Sequence, residues 1–181
     1  VVSMFRREIP LTPFTFIEAE KKVSGQYKVN RDLSVNVYMI IDRIDEINGT
    51  RRFIDYKTGS DELSVPSVEK LFDPEYTKNV KGIMQLLFYC LVYRYINNDD
   101  RPVQPLIYKL SKISIEGINP LKIGGNELTD YHEVLAEYEE RLHGVITEIF
   151  SKDIPFTQAK TENACTFCEF KSICQREGSK F

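Results

Sequence analysis

The chain has no apolar run of the ~18 residues needed to cross a bilayer. Its longest, "IMQLLFYCLVYRYI", is interrupted by Gln85 and Arg94. No signal-peptide pattern opens it, so a cytoplasmic protein without a membrane partner is expected. An excess of basic residues is missing too: the net charge is −3 and the pI about 5.6. That excludes a surface coated in cations but leaves room for a local basic groove. Histidine is scarce, with only His132 and His143. They lie about three helical turns apart on one face and read as ordinary packing or surface residues. No Ser-His or Cys-His pair is therefore on offer as a nucleophile. There is no internal repeat and no low-complexity segment, and "VVSMF" lacks an initiator Met, which suggests a piece of something longer. What is present is ordinary for a globular domain with a real core: 181 residues, 42% hydrophobic and 28% charged.

Residues 14–20 and 25–30 are short strand candidates. Residues 35–47, "VNVYMIIDRIDEI", read as a long strand and 50–57 as the next. Residues 61–79 are polar and contain proline, which suits a loop with one short helix. Residues 79–97 are helical and mostly apolar, hence buried. "VQPLIYKLSKI" suits one or two strands, "GINPLKIGGN" is turn-rich, and 129–150 form a second long helix with Thr129 as its expected N-cap. The order predicts an α/β domain with a mixed sheet and helices on both sides.

Asn48-Gly49 joins the two central strands, and Asn-Gly is the strongest short hairpin signal. With that pair at the turn, Ile47 faces Thr50, Glu46 faces Arg51, Asp45 faces Arg52, and Asp42 faces Asp55. The two opposite-charge pairs support this register by roughly 0.2–1 kcal/mol each, and the opposed aspartates cost a similar amount. Strand alternation adds Lys57 and Ile40 to the aspartates' face. These charges could be a solvated sheet face with a weak surface pair. Their neighbours Ile40, Ile41, Ile44, Phe53 and Ile54 are apolar, however, which favours a cleft. Paired carboxylates suit a hard divalent cation, Mg²⁺ or Mn²⁺. A cation there would activate water and neutralise a phosphate oxygen, and a nearby lysine would orient that water or stabilise developing charge.

The stretch "IDRIDEINGTRRFIDYKTG" followed by "QLLFY" resembles the PD-(D/E)xK nuclease core. More narrowly it is similar to the RecB/AddB-like branch, which includes nuclease domains of helicase-nucleases. Asp42, Arg43 and Asp45 match its first motif, Asp55 to Gly59 its second, and Gln85 and Tyr89 its third, over roughly residues 14–177. The resemblance implies a restriction-endonuclease-like fold. It implies metal ligation by Asp42, Asp55 and the Tyr56 carbonyl, with Lys57 as the catalytic lysine. It also implies DNA contacts from Gln85 and Tyr89; the Tyr89 ring is of a kind that stacks on a base, and Arg43 is a basic residue available to DNA phosphates. The implied activity is an exonuclease on single-stranded DNA in recombination or double-strand-break repair, with a helicase domain or subunit as partner. Lys78, Lys81 and Arg94 are further candidates for phosphates. Glu18 matches an acidic position upstream of the motif, or is simply an exposed glutamate on an edge strand. Two positions depart from the pattern. Met39 stands where the branch usually has glycine, and no histidine precedes Asp42. The rival readings are a non-catalytic DNA-binding module and a structural metal domain whose acidic hairpin is incidental.

Cys165, Cys168 and Cys174 form C-x₂-C-x₅-C, similar to the C-terminal three cysteines of iron–sulfur nucleases in that branch. This implies a [4Fe–4S] cluster whose fourth ligand is expected upstream of Val1. A zinc site completed by Cys90 or a carboxylate is the alternative. Cys90, inside the apolar helix, reads as a small buried hydrophobe. The expected organisation is a nuclease core over 1–158 and a cysteine-bearing tail over 159–181.

Overall fold

The structure, a computed structural model, describes residues 2–159, 165–166 and 168–176. Part of the expected tail, including residues 160–164 and 177–181, lies outside the described residues. A four-stranded sheet forms the centre, in the order β1-β2-β3-β5, from β1 (Thr15–Lys28), β2 (Ser34–Ile47), β3 (Thr50–Lys57) and β5 (Val103–Lys109). β1, β2 and β3 are antiparallel neighbours, and β3 and β5 run parallel. The parallel pair needs a crossover, and α2 (Lys81–Asn97) supplies it. One face of the sheet packs on α2, with α4 (Leu135–Phe150) beyond it. The other face carries α1 (Val2–Glu8) and α3 (Ile113–Glu116). The expected mixed sheet with helices on both sides is thus the fold observed.

The Asn48-Gly49 turn has positive φ at both residues, 50° and 80°, as a tight two-residue hairpin turn requires. The ladder follows the expected register from Ile47↔Thr50 to Arg43↔Ile54. Helix α2 is apolar nearly all round because it is covered on both sides: Ile83, Leu86, Leu87, Leu91 and Val92 are at most 1% exposed. Cys90 is buried among them, as a small hydrophobe should be. α4 docks through Tyr138, whose hydroxyl donates to the Met84 carbonyl at 2.8 Å.

Several expectations change. Residues 14–20 and 25–30 are one strand, bent by a register shift between Phe16 and Glu18 and by Glu20, whose φ is +51°. Residues 2–8 form a helix too short to show a periodicity in the sequence. Segments read as loops contribute a small second sheet from β4 (Ser64–Val65), β6 (Lys122–Ile123) and β7 (Asn126–Glu127). The second half of "VQPLIYKLSKI" leads into α3 rather than a strand. Asp130, not Thr129, is the cap: it forms a capping box with Glu133, whose carboxylate also takes the Thr129 hydroxyl at 2.8 Å. A short 3₁₀ turn at Tyr131–Glu133 then precedes α4.

The two cross-strand ion pairs divide. Asp45, fully buried, takes Arg52 in a bidentate pair at 2.5 and 2.7 Å. Arg43 adds a contact to Asp45 at 2.6 Å and reaches Glu8 of α1 at 2.7 Å. A chain of four charges thereby fastens α1 to the sheet. Arg51 instead leaves Glu46 for Asp99 at 2.5 Å and the Tyr93 hydroxyl at 3.0 Å. Glu46 meets Arg101 at 3.6 Å.

Candidate active site

Past Arg43↔Ile54 the β2–β3 ladder stops, and the two aspartates stand where it stops. Asp42 Oδ2 accepts the Tyr56 backbone N–H at 2.8 Å, a bond the neighbouring strand would otherwise supply. The side-chain alternation of β2 changes phase here. Val35, Val37, Met39 and Ile41 face the α2 core at odd positions and Ile44 does so at an even one. Strict alternation is thus interrupted between Ile41 and Ile44, and opposite this stretch β1 carries Glu20 in a left-handed conformation.

Asp55 and Lys57 do point the same way, toward α2. The Lys57 ammonium hydrogen-bonds Asp55 Oδ1 at 3.2 Å and Gln85 Oε1 at 2.8 Å. It also lies 2.9 Å from Asp55 Oδ2, but off hydrogen-bond alignment, so Oδ2 stays buried without a hydrogen bond. The Gln85 amide donates in turn to the Tyr89 hydroxyl. An isolated polar residue in an apolar helix is thereby satisfied on both its groups. One turn of α2 and the end of β3 thus hold a continuous polar chain, Asp55–Lys57–Gln85–Tyr89.

Burial raises the Asp55 pKa; Lys57 acts against this, while the charges of Asp42 and Asp61 push it further up. For Lys57 burial acts downward, but the hydrogen bond to Asp55 and the charges of Asp55, Asp61 and Asp42 outweigh it, and its pKa is raised. The lysine is therefore an ammonium that donates, not a free base. A carboxyl whose folded pKa is raised holds its proton more tightly in the folded chain than in the unfolded one. Its ionisation thus costs stability above the ordinary carboxylate range, and the cost is relieved as pH falls through the raised value. In metal-free buffer at neutral pH we expect Asp55→Asn to be more stable than the parent by roughly 0.5–2 kcal/mol, and so to melt at a higher temperature, with the gap closing in acid. Thermal melts in EDTA across pH check this.

Asp61 was not evident from the sequence, where it sits in a polar loop. It is 8% exposed, with its carboxylate against the first turn of α2. A Cβ on Gly82 would lie 3.1 Å from Asp61 Oδ1 and 2.9 Å from Ile107 Cδ1, so a larger residue there would make both side chains give way. That glycine, opening an apolar helix, was the one available signal.

The donor set suits a hard cation. Two carboxylates and a backbone carbonyl are hard oxygen ligands, and one oxygen of Asp55 is buried without a hydrogen bond. Mg²⁺ commonly takes only one or two carboxylates from a protein and completes its shell with water and substrate phosphate. Among the described residues no group of three or more His, Cys, Asp or Glu side chains is placed to hold a metal. The cysteine tail is included in that statement: Cys165, Cys168 and Cys174 are free thiols.

Other candidates fall elsewhere. Tyr89 is 8% exposed, so its ring is not open for a base to stack on; its hydroxyl serves the Gln85 chain. Arg43 does not join Lys57 and Gln85, being held by Glu8 and Asp45 on the other side of the sheet. Arg94 is engaged by Asp100. Glu18 pairs with Lys21 at 2.9 Å on the edge strand. His132 bonds Asp130 and Asp100, and His143 bonds the Tyr27 hydroxyl, the packing roles expected of them. Lys78 and Lys81 flank the start of α2. No helix among the described residues is long and apolar enough to cross a membrane.

Residues 3–175 match the family model described as the PD-(D/E)XK nuclease superfamily. No curated protein and no solved structure matches the chain.

Proposed function

The chain belongs to the PD-(D/E)XK nuclease superfamily, and from that membership we propose a Mg²⁺- or Mn²⁺-dependent deoxyribonuclease that digests single-stranded DNA from an end. The superfamily is one of nucleases that generally use these two cations. The observation that carries the proposal is the unbroken contact chain from Asp55 through Lys57 to Gln85, with Asp42 held beside it by the Tyr56 N–H. Asp42, Asp55 and the Tyr56 carbonyl would hold the metal, which when bound supplies a polarised water and charge for the scissile phosphate.

The protein's own groups do the rest. Lys57, kept charged by Asp55, donates to the attacking water or to an oxygen gaining charge. Gln85 fixes the ammonium's direction, since its Oε1 takes one of the three N–H bonds. The Tyr89 hydroxyl keeps the Gln85 amide from turning over. Lys78 and Lys81, at the mouth of α2, are suited to phosphates further along the strand.

Similarity of the three motifs to the RecB-like branch supports a role in recombination or double-strand-break repair beside a helicase. The C-x₂-C-x₅-C spacing supports a [4Fe–4S] cluster that staples the tail, which iron analysis and visible absorbance of anaerobically purified protein test. For the activity, linear and circular single strands, duplex DNA and RNA are incubated with Mn²⁺ and with EDTA. Metal-dependent loss of linear single strands alone is the expected result. Cutting of circles at the same rate sinks the end-dependence, and no cleavage of any substrate sinks the enzyme.

A further inference from the structure

A cavity of about 530 Å³ opens on the far side of Asp42 from Lys57. Its wall includes Phe5, Phe14, Phe16, Asp42, Arg43 and Tyr56. The volume falls in the range of small-molecule sites, about 300–1,000 Å³. Phe5 and Phe16 are more than half exposed, two large rings that the fold itself leaves uncovered. Arg43, in the same wall, is 7% exposed and its guanidinium Nε–H is buried without an acceptor.

The geometry points to this cavity as the seat of one unpaired nucleobase next to the scissile phosphate, an inference that rests on the nuclease reading above. Two residues belong to both places. Asp42 lines the cavity and stands beside Asp55. Tyr56 lines the cavity while its N–H holds Asp42. A strand whose phosphate lies at Asp42 and Asp55 has its next base within reach of the aromatic wall.

Charge excludes the phosphate itself from the cavity. Glu8, Glu20 and Asp42 all border it, and the single cation there, Arg43, is already engaged by Glu8 and Asp45. A neutral ring fits instead, its face on Phe16 or Phe5. A base stacked inside a duplex has neither face free, so the cavity selects unpaired nucleotides.

The test uses Asp55→Asn, so that substrate survives, and fluorescence anisotropy of a labelled oligothymidylate. Adding Phe16→Ala should weaken binding about 5- to 150-fold, and Phe5→Ala should do likewise, with melting temperatures unchanged because both rings are exposed. On an abasic oligonucleotide of equal length the Phe16 effect should vanish, which separates base stacking from loss of a general apolar surface. Two results overturn the inference while leaving the nuclease reading intact: unchanged affinity in both variants of a protein that cleaves, or a Phe16-dependent self-association of the chain with no effect on oligonucleotide binding. If the parent neither binds nor cleaves nucleic acid, both readings fall together.

Discussion

Lys57→Ala should lower the metal-dependent cleavage rate at least roughly 10²–10³-fold, the usual cost of losing one preorganised donor to developing charge. Asp55→Asn should lower it at least as far, since it removes a proposed cation ligand and the hydrogen-bond partner that raises the Lys57 pKa. Lys57→Arg is not a rescue. A planar guanidinium is forked where the ammonium is compact, and it cannot make the Asp55 and Gln85 contacts from the same position. Initial rates on an end-labelled single strand, with circular dichroism on each variant, provide the measurement. Asp55→Asn carries a paired signature: activity is lost while the metal-free fold becomes harder to melt. A surface ion pair predicts neither change, so wild-type cleavage by Asp55→Asn would remove the site from consideration.

On the other face of the sheet, Asp45→Ala should destabilise the fold by about 3–5 kcal/mol. For a domain of this size that is a fall of roughly 6–20 °C in melting temperature. Asp45 has no exposed surface and faces two guanidinium groups, from Arg43 and Arg52. Truncation takes the carboxylate from the buried Arg52 and leaves Arg43 to Glu8, and the cost of those buried cations outweighs the lost attraction. Phe14 stacks against both guanidinium groups, with Arg43 4.9 Å and Arg52 5.4 Å from the ring centroid, and does not neutralise either. Urea unfolding of Asp45→Ala beside Glu46→Ala makes the comparison. The second residue is half-buried and its ion pair among the described residues is with the exposed Arg101, so its removal should cost less than about 1 kcal/mol. Equal losses would mean the four-charge chain is not what anchors α1.

The hairpin was legible because its instructions are local. Asn48-Gly49 sets the turn, the turn sets the register, and the register places Asp45 against Arg52 and brings the two aspartates to the same end of the ladder. Gln85 was legible as an anomaly, a polar residue in an apolar helix, and its partner proved to be Lys57. Other features depend on partners distant in sequence. Arg51 turns to Asp99, Arg43 to Glu8, and Tyr89 is buried by packing that its own segment does not declare. The alternation of β2 is interrupted between Ile41 and Ile44, which counting alternate residues along β2 alone does not anticipate. Asp61 became visible only when α2 was set against the loop that follows β3.

The bend at Glu20 also bears on how the molecule avoids its own kind. β1 is an outer strand of the sheet, fourteen residues long, and a straight strand of that length would template the addition of another chain. A left-handed residue near its middle interrupts the regular row of free amides, and Glu18, Lys21 and Lys22 place charge beside the interruption. The opposite border, β5, carries Pro105, which has no amide hydrogen to offer. Edge-to-edge stacking is thereby opposed at one border by the left-handed Glu20 and its flanking charges and at the other by Pro105.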